Sequence, residues 1–195
     1  MPRTLTETKR ADILTAATVV FARKGFHEVR TDEIAAEACV GKGTLYRYFP
    51  TKDDLFYSAV LAGFDEMDAV LEALRAREDP PAATLAKVAR QALRIFWSRP
   101  SFNMVLHPDT RRFRIREREV KKRREALVKF VRETIARGVA LGDFRPVDPR
   151  VSAEIFLGML RGLLFHRNES DSPAALVRTL TDTFLSGIGR RKEAS

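Results

Sequence analysis

The feature that most constrains this chain is the run Gly41-Lys42-Gly43-Thr44-Leu45-Tyr46-Arg47-Tyr48-Phe49, closed by Pro50 and followed directly by Thr51-Lys52-Asp53-Asp54-Leu55-Phe56. Proline cannot continue a helix and disfavours helical backbone at the residue before it. The run therefore reads as a short helix that stops at Phe49, with a long amphipathic helix starting just beyond. The short helix carries Lys42, Thr44, Tyr46, Arg47 and Tyr48 within about two turns, and its other side offers Leu45 and Phe49 for docking. Donors for phosphates and base edges around an apolar anchor are what a helix entering a DNA major groove needs.

The residues upstream complete the unit. Ile13, Leu14, Ala17, Val20 and Phe21 repeat at helical spacing, which predicts a first amphipathic helix ended by Gly25. Thr31 before Asp32 and Glu33 reads as an N-cap followed by acids in the first turn. Ile34, Ala35 and Ala38 give this second, short helix one apolar side, and Cys39-Val40-Gly41 makes a tight turn. The order is long helix, short helix, turn, short helix. The small residues Ala35, Ala36 and Ala38 permit the close crossing of a helix-turn-helix.

From about Arg10 to Phe56 the chain resembles the N-terminal domain of the TetR family of bacterial transcriptional regulators. The matching residues are Ile13, Ala16, Phe21, Gly25, Thr31, Ile34, Ala35, Val40, Gly43, Leu45, Tyr46, Tyr48, Phe49, Lys52 and Leu55. The family's turn reads Ala-Gly-Val-Ser, whereas this chain has Ala38-Cys39-Val40-Gly41, so Cys39 stands where a glycine takes positive φ freely. Gly41 replaces a serine N-cap and is a weaker cap. The resemblance implies that Thr31, Thr44, Tyr46, Tyr48 and Lys52 contact phosphates, which sets register. It puts Lys42 and Gly43 at the start of the recognition helix, where Lys42 can donate to guanine and Gly43 lets the backbone approach closely. Tyr46 has an alternative role packed beside Leu45, and Arg47 one as a solvated charge. Arg3, on a polar arm, is a candidate for the minor groove.

The rest of the sequence is helical in pattern. Thr51 with Asp54 three residues later forms a capping box opening a helix to about Glu78, which Asp79-Pro80-Pro81 breaks. Leu85, Val88, Ala89, Ala92, Leu93, Phe96 and Trp97 mark the next helix, and a short segment runs from Phe102 to His107. A long helix spans about Asp109 to Ala140 and ends at Gly142 as its C′ residue. Asp148-Pro149 and Ser172-Pro173 each read as an N-cap with proline at the first helical position, opening helices over about 149–167 and 173–189. No segment alternates like a strand. The predicted fold is all-α, with a three-helix DNA-binding domain over residues 1–52 and a larger ligand-binding and dimerisation domain over 53–195.

The family resemblance implies that this larger domain binds a small molecule and dimerises. Phe64, Met67, Phe96, Trp97, Phe102, Met104 and Phe130 are candidates for an apolar cavity with methionine as an adaptable wall; the alternative is ordinary core. Ile155, Phe156, Met159, Leu163, Leu180, Phe184 and Ile188 are candidates for a two-fold interface, with Gly158, Gly162 and Gly187 allowing close approach; the alternative is packing within one chain.

Net charge is +9 over 195 residues, which suits an anionic partner. The excess is not concentrated in the head, where residues 1–52 hold nine Lys/Arg against six Asp/Glu. The stretch 109–125 holds nine against four. It reads either as a solvated helix face laced by i,i+4 pairs or as a basic rim for an anionic ligand. A single cysteine excludes an internal disulfide, and the polar N-terminus lacks a signal-peptide core, which together suit a cytoplasmic protein. No apolar run is long enough to span a membrane.

Enzymatic function is disfavoured. His27, His107 and His166 are far apart and lack metal-ligand spacing, so no catalytic, cofactor or metal residue is assigned. Gly41-Lys42-Gly43-Thr44 lacks the first glycine and the order of a phosphate loop. A ligand-free architectural DNA binder would not need so large a second domain. Together with the family resemblance, this leads to the expectation of a homodimeric DNA-binding transcriptional regulator, a repressor released from its operator by a small, largely apolar effector.

Overall fold

The computed structural model describes residues 5–98, 117–165 and 171–189. Among these residues the chain forms eight helices and no strand, only an isolated antiparallel bridge between Phe144 and Gly189. The helices are α1 (Leu5–Glu28), α2 (Thr31–Glu37), α3 (Lys42–Tyr48), α4 (Lys52–Arg75), α5 (Pro81–Ser98), α6 (Glu117–Ala140), α7 (Pro149–Phe165) and α8 (Pro173–Ile188). Phe102, Met104, Arg3, His107, His166 and the first part of the basic stretch lie outside the described residues.

The chain divides into two compact units with a boundary inside α4, between Asp65 and Glu66. The first unit is built on aromatic burial. Ile13, Phe21, Ile34, Leu45, Phe49, Leu55 and Phe56 are all at most 2% exposed. The Phe21 and Phe56 rings meet edge-on at 5.2 Å, and Phe26 meets Phe56 at 5.1 Å. Such pairs add to area burial by about 0.5–1.5 kcal/mol each. They also account for a difference from the sequence reading. α1 does not stop at Gly25 but continues to Glu28, which keeps Phe26 within reach of Phe21 and Phe56. A glycine inside a helix costs about 1 kcal/mol, which this packing exceeds.

α2 also begins differently. Its N-cap is Arg30, in extended backbone and without a side-chain cap bond, and Thr31 is the first helical residue. The Thr31 hydroxyl is instead 3.0 Å from that of Tyr46. The C-terminus of α2 closes as a Schellman motif: the Cys39 N–H donates to Ala36 O at 3.1 Å and the Val40 N–H to Ala35 O at 2.9 Å. This geometry puts Cys39 at φ 52°, the left-handed region. Gly41 caps α3 from extended backbone, as the sequence suggests. α4 opens with Thr51 as its cap: the Asp54 N–H donates to Thr51 Oγ1 at 3.0 Å, and the Thr51 hydroxyl donates to the Asp54 carboxylate at 2.8 Å. α4 ends at Arg75, a few residues before the expected stop.

The second unit surrounds a core from α4 through α8, with Leu85, Val88, Ala89, Leu93, Val131, Ile135, Ala153 and Phe156 at no exposure. α6 ends with Gly142 at φ 77°, as its role after the helix requires. One turn earlier, a methyl group on Gly138 would come within 2.4 Å of two Phe144 ring carbons, so glycine there keeps the ring in place. The segment after α6 is then tied to the end of α8: the Arg145 N–H donates to Ile188 O at 2.9 Å and its guanidinium to Gly187 O at 2.7 Å. Asp148 accepts from the Arg150 N–H at 2.8 Å, and Ser172 accepts from the Ala175 N–H at 3.5 Å, both as cap positions.

A non-glycine residue in the left-handed region costs about 1 kcal/mol or somewhat more, while a new glycine adds about 0.5–1 kcal/mol of unfolded-state entropy. Cys39 is exposed, so little packing is at stake. Cys39→Gly is expected to be neutral or stabilising by up to about 1 kcal/mol, measured by thermal unfolding. A clear fall in melting temperature would contradict this account of the turn.

Candidate nucleic-acid interface

α3 has seven residues, and Leu45 is the one among them that is buried. With Leu45 at zero exposure and Phe49 at 2%, the helix is anchored along one side and presents the other. On the presented side Lys42 is 56% exposed and Tyr46 37%. Thr44 and Tyr48 are half-buried, and the Arg47 guanidinium lies 5.3 Å from the Tyr48 ring centroid. Nothing lies within 4 Å of where a Cβ on Gly43 would stand. The fold itself does not require glycine there, although glycine weakens a helix. Without a side chain there, the helix backbone can close on another surface.

Two polar ties join α3 to the start of α2. The Lys42 ammonium is 2.7 Å from Asp32 Oδ1, and the Tyr46 and Thr31 hydroxyls are 3.0 Å apart. The structure thereby brings together Thr31, Lys42 and Tyr46 on one surface. Lys52 stands apart from these ties: its ammonium lies 4.6 Å from the Phe26 ring centroid and is 3.5 Å from His27 O. A cation held over an aromatic face keeps part of its charge toward solvent.

Asp32 was not singled out by sequence reasoning beyond its place in the first turn of α2. Its carboxyl group is held below its ordinary value, first by the hydrogen bond from Lys42; burial opposes this as the next largest effect, and the charges of Lys42 and Arg30 add smaller lowering contributions. Lys42 is raised, first by its hydrogen bond to Asp32. Arg30 approaches the other carboxylate oxygen at 3.5 Å. Nearby, Lys24 pairs with Glu33 at 2.8 Å and Arg23 with Glu37 at 3.6 Å, so the other two acids of α2 are met by cations of α1.

The residues proposed for a ligand cavity are dispersed. Phe64 belongs to the first unit. In the second, Met67, Phe96 and Phe130 are buried and Trp97 is half-buried against the core. The larger of two cavities described there has a volume of about 410 Å³ and is lined by Asp68, Leu71, Glu72, Arg75, Glu119, Lys122, Arg123 and Ala126. Among the described residues, none of Phe64, Met67, Phe96, Trp97 and Phe130 lines it; Phe130 borders a smaller cavity of about 160 Å³. The charged lining is internally paired: the Arg123 guanidinium donates to the Asp68 carboxylate and, at 2.9 Å, to Glu119.

The interface candidates also divide. Phe156, Leu180, Phe184 and Ile188 lie in the core of their own chain, with the Phe156 and Phe184 rings 5.1 Å apart. Burial within one chain removes these four from the surface available to a second copy. Ile155 is 53% exposed, Val151 is 40% exposed, and Met159 and Leu163 are half-buried. Among the described residues no group of acidic, His or Cys side chains is placed to hold a metal ion, and no helix is long and apolar enough to cross a membrane.

A docked two-turn helix after a tight turn, presenting lysine, threonine and tyrosines, defines a helix-turn-helix DNA-binding regulator. Comparison with known proteins agrees. Residues 13–59 match the family model "Bacterial regulatory proteins, tetR family", and residues 78–188 match "Tetracyclin repressor-like, C-terminal domain". The uncharacterized HTH-type transcriptional regulator YfiR of Bacillus subtilis (strain 168) is 26% identical over 197 residues, covering 90% of this chain and 87% of its own length. The HTH-type transcriptional repressor KstR of Rhodococcus jostii (strain RHA1) is 25% identical, covering 95% and 86%. The crystal structure of AibR in complex with isovaleryl coenzyme A and operator DNA has a TM-score of 0.75 at 22% identity, covering 90% of this chain and 97% of that one. The last is a likeness of fold. The chain belongs to the TetR family of bacterial transcriptional regulators, and its fold is that of the family: a helix-turn-helix head and a helical C-terminal domain.

A depressed carboxylate pKa means that the Asp32–Lys42 contact contributes above the unfolded value of Asp32 and is lost as pH falls through the folded one. In a carboxyl-carbon NMR titration, Asp32 is therefore expected to show a midpoint below 3.8 that moves up in Lys42→Ala. A midpoint indifferent to Lys42 would show that the pair does not persist in solution.

Proposed function

We propose that this regulator is a repressor that binds operator DNA as a homodimer through Thr31, Lys42, Gly43, Thr44, Tyr46, Tyr48 and Lys52, and that a small, largely apolar effector releases it. The observation that carries the DNA assignment is the split character of α3, with Leu45 fully buried while Lys42 and Tyr46 remain exposed beside an empty Gly43 flank. In this reading Thr31, Thr44, Tyr46, Tyr48 and Lys52 contact phosphates, and Lys42 reads a base edge. KstR, a repressor by name, supports the repressor role, and AibR, solved with both operator DNA and isovaleryl coenzyme A, supports an effector-bound form.

The homodimer is best supported by α7. Ile155, Gly158, Met159 and Gly162 recur at helical spacing. Ile155 is exposed, and the spaces beside Gly158 and Gly162 are empty. Small residues beside exposed apolar ones let two copies of a helix approach closely. The same patch presented twice satisfies two-fold symmetry.

For the effector, Met67, Phe96, Trp97 and Phe130 are the candidate apolar contacts that lie in the second unit. The cavity of about 410 Å³ lies in the size range of small-molecule sites, and it sets Arg75, Lys122 and Arg123 among the acids Asp68, Glu72 and Glu119. α4 contributes residues to both units, so an effector that shifts this helix would act on the Lys52 end as well.

Tyr46→Ala and Lys52→Ala should weaken binding to all duplexes about equally, and Lys52→Ala should flatten the salt dependence by roughly one unit of slope. Lys42→Ala should instead relax preference at one base pair per half-site. Gel-shift titrations at several salt concentrations decide this, and unchanged affinity in both Tyr46→Ala and Lys52→Ala would overturn the assignment.

Trp97 is the only tryptophan, so its fluorescence should report entry of an effector near it. Screening apolar carboxylic acids and their coenzyme A thioesters by Trp97 quenching should yield hits that also weaken operator binding. By linkage, DNA should weaken the hit by the same factor. Hits that quench Trp97 and leave operator affinity untouched would refute effector-driven release.

A further inference from the structure

The pair between Asp32 and Lys42 places an acid on the surface that must face a polyanion. Asp32 is 45% exposed, and both partners stand well into solvent. An exposed ion pair contributes little to stability. Favourable placement in the first turn of α2 explains an acid at position 32 in general terms. It does not explain why the carboxylate reaches across to the neighbouring helix and takes a 2.7 Å bond from the first residue of α3.

The chemistry of lysine suggests why. An ammonium on a four-carbon stem is a mobile point charge with three donors, and unrestrained it binds any phosphate within reach. Such contacts raise affinity for every sequence alike. A carboxylate bonded to the ammonium fixes the stem, occupies one donor and leaves two. It also repels phosphate from that neighbourhood while tolerating the neutral edge of a base. The hydroxyl tie between Thr31 and Tyr46, one turn along α3, restrains the next exposed side chain from the same helix end.

We propose that Asp32 is a specificity-determining positioning residue: it holds the Lys42 ammonium for a base edge and away from phosphates, lowering affinity for arbitrary duplex while sharpening preference for the operator. The idea rests on the reading of α3 as the DNA-facing helix. Asp32 acts through Lys42, so its effect must vanish when Lys42 is absent.

The test uses the full chain and two probes: duplex that the wild-type protein selects from a random-sequence library, and the unselected pool of the same length. Asp32→Asn should bind the unselected pool about 3- to 10-fold more tightly. Its salt dependence should steepen by roughly one unit, the signature of one added phosphate contact. The ratio of selected to unselected affinity should fall, with the melting temperature little changed. Asp32→Glu should retain most of the wild-type ratio. In the double variant with Lys42→Ala, Asp32→Asn should have no further effect on that ratio. If Asp32→Asn tightens both duplexes equally, or acts the same with and without Lys42, Asp32 is only a like charge near the phosphates and the proposal fails. If Lys42→Ala by itself changes neither affinity nor preference, the DNA-facing reading of α3 fails, and this inference falls with it.

Discussion

The burial of Leu45 and Phe49 is the constraint on which the head depends. α3 is seven residues long, far below the length at which an isolated helix holds in water. It has no side-chain N-cap and carries glycine at its second position. Its conformation is therefore imposed from outside by docking. The dock exists only because Phe21, Phe56, Ile13 and Ile34 are themselves packed, and because α1 runs far enough to bring Phe26 to Phe56. The exposed pair Lys42 and Tyr46 takes its direction from this apolar underside. Loss of the aromatic cluster would scatter those side chains before it unfolded the second unit, whose core is separate.

Most of the helices were legible because their signals are local. Proline at positions 50, 81, 149 and 173, the Thr51–Asp54 pair, and the Asp148 and Ser172 caps all act within one turn of the residues they govern. The errors arose where distant packing outweighed a local signal. Gly25 reads as a stop, but Phe26 gains more from the Phe21 and Phe56 rings than the helix loses. Thr31 reads as a cap, but its hydroxyl is within bonding distance of Tyr46, fifteen residues away.

The site was legible by the same rule. The run 41–49 announces a presented helix, since period and proline spacing suffice to distinguish its anchored side from its free side. The Asp32–Lys42 pair has no sequence signature, because its partners sit on different helices and meet only through the Schellman turn at Cys39. In the second unit, α7 and α8 are apolar on more than one face, and periodicity cannot say which face the chain keeps for itself. The fold takes Phe156, Leu180, Phe184 and Ile188 inward and leaves Ile155 outside. Likewise, a list of large apolar residues cannot distinguish a cavity wall from a filled core, and the cavities described are bordered mainly by charged side chains from α4 and α6.

The empty space beside Gly43 bears on how such a protein diverges. Positions such as Leu45 and Gly138 answer to the chain's own interior: a change at either would strain or hollow the protomer whatever it binds. Position 43 meets no neighbour among the described residues. A side chain there would be tolerated by the fold and would even favour the helix. Among duplicated copies of this protein, drift at residue 43 would therefore track a change of binding partner and leave folding untouched. A library varied at that position would explore new partners without first having to be filtered for stability.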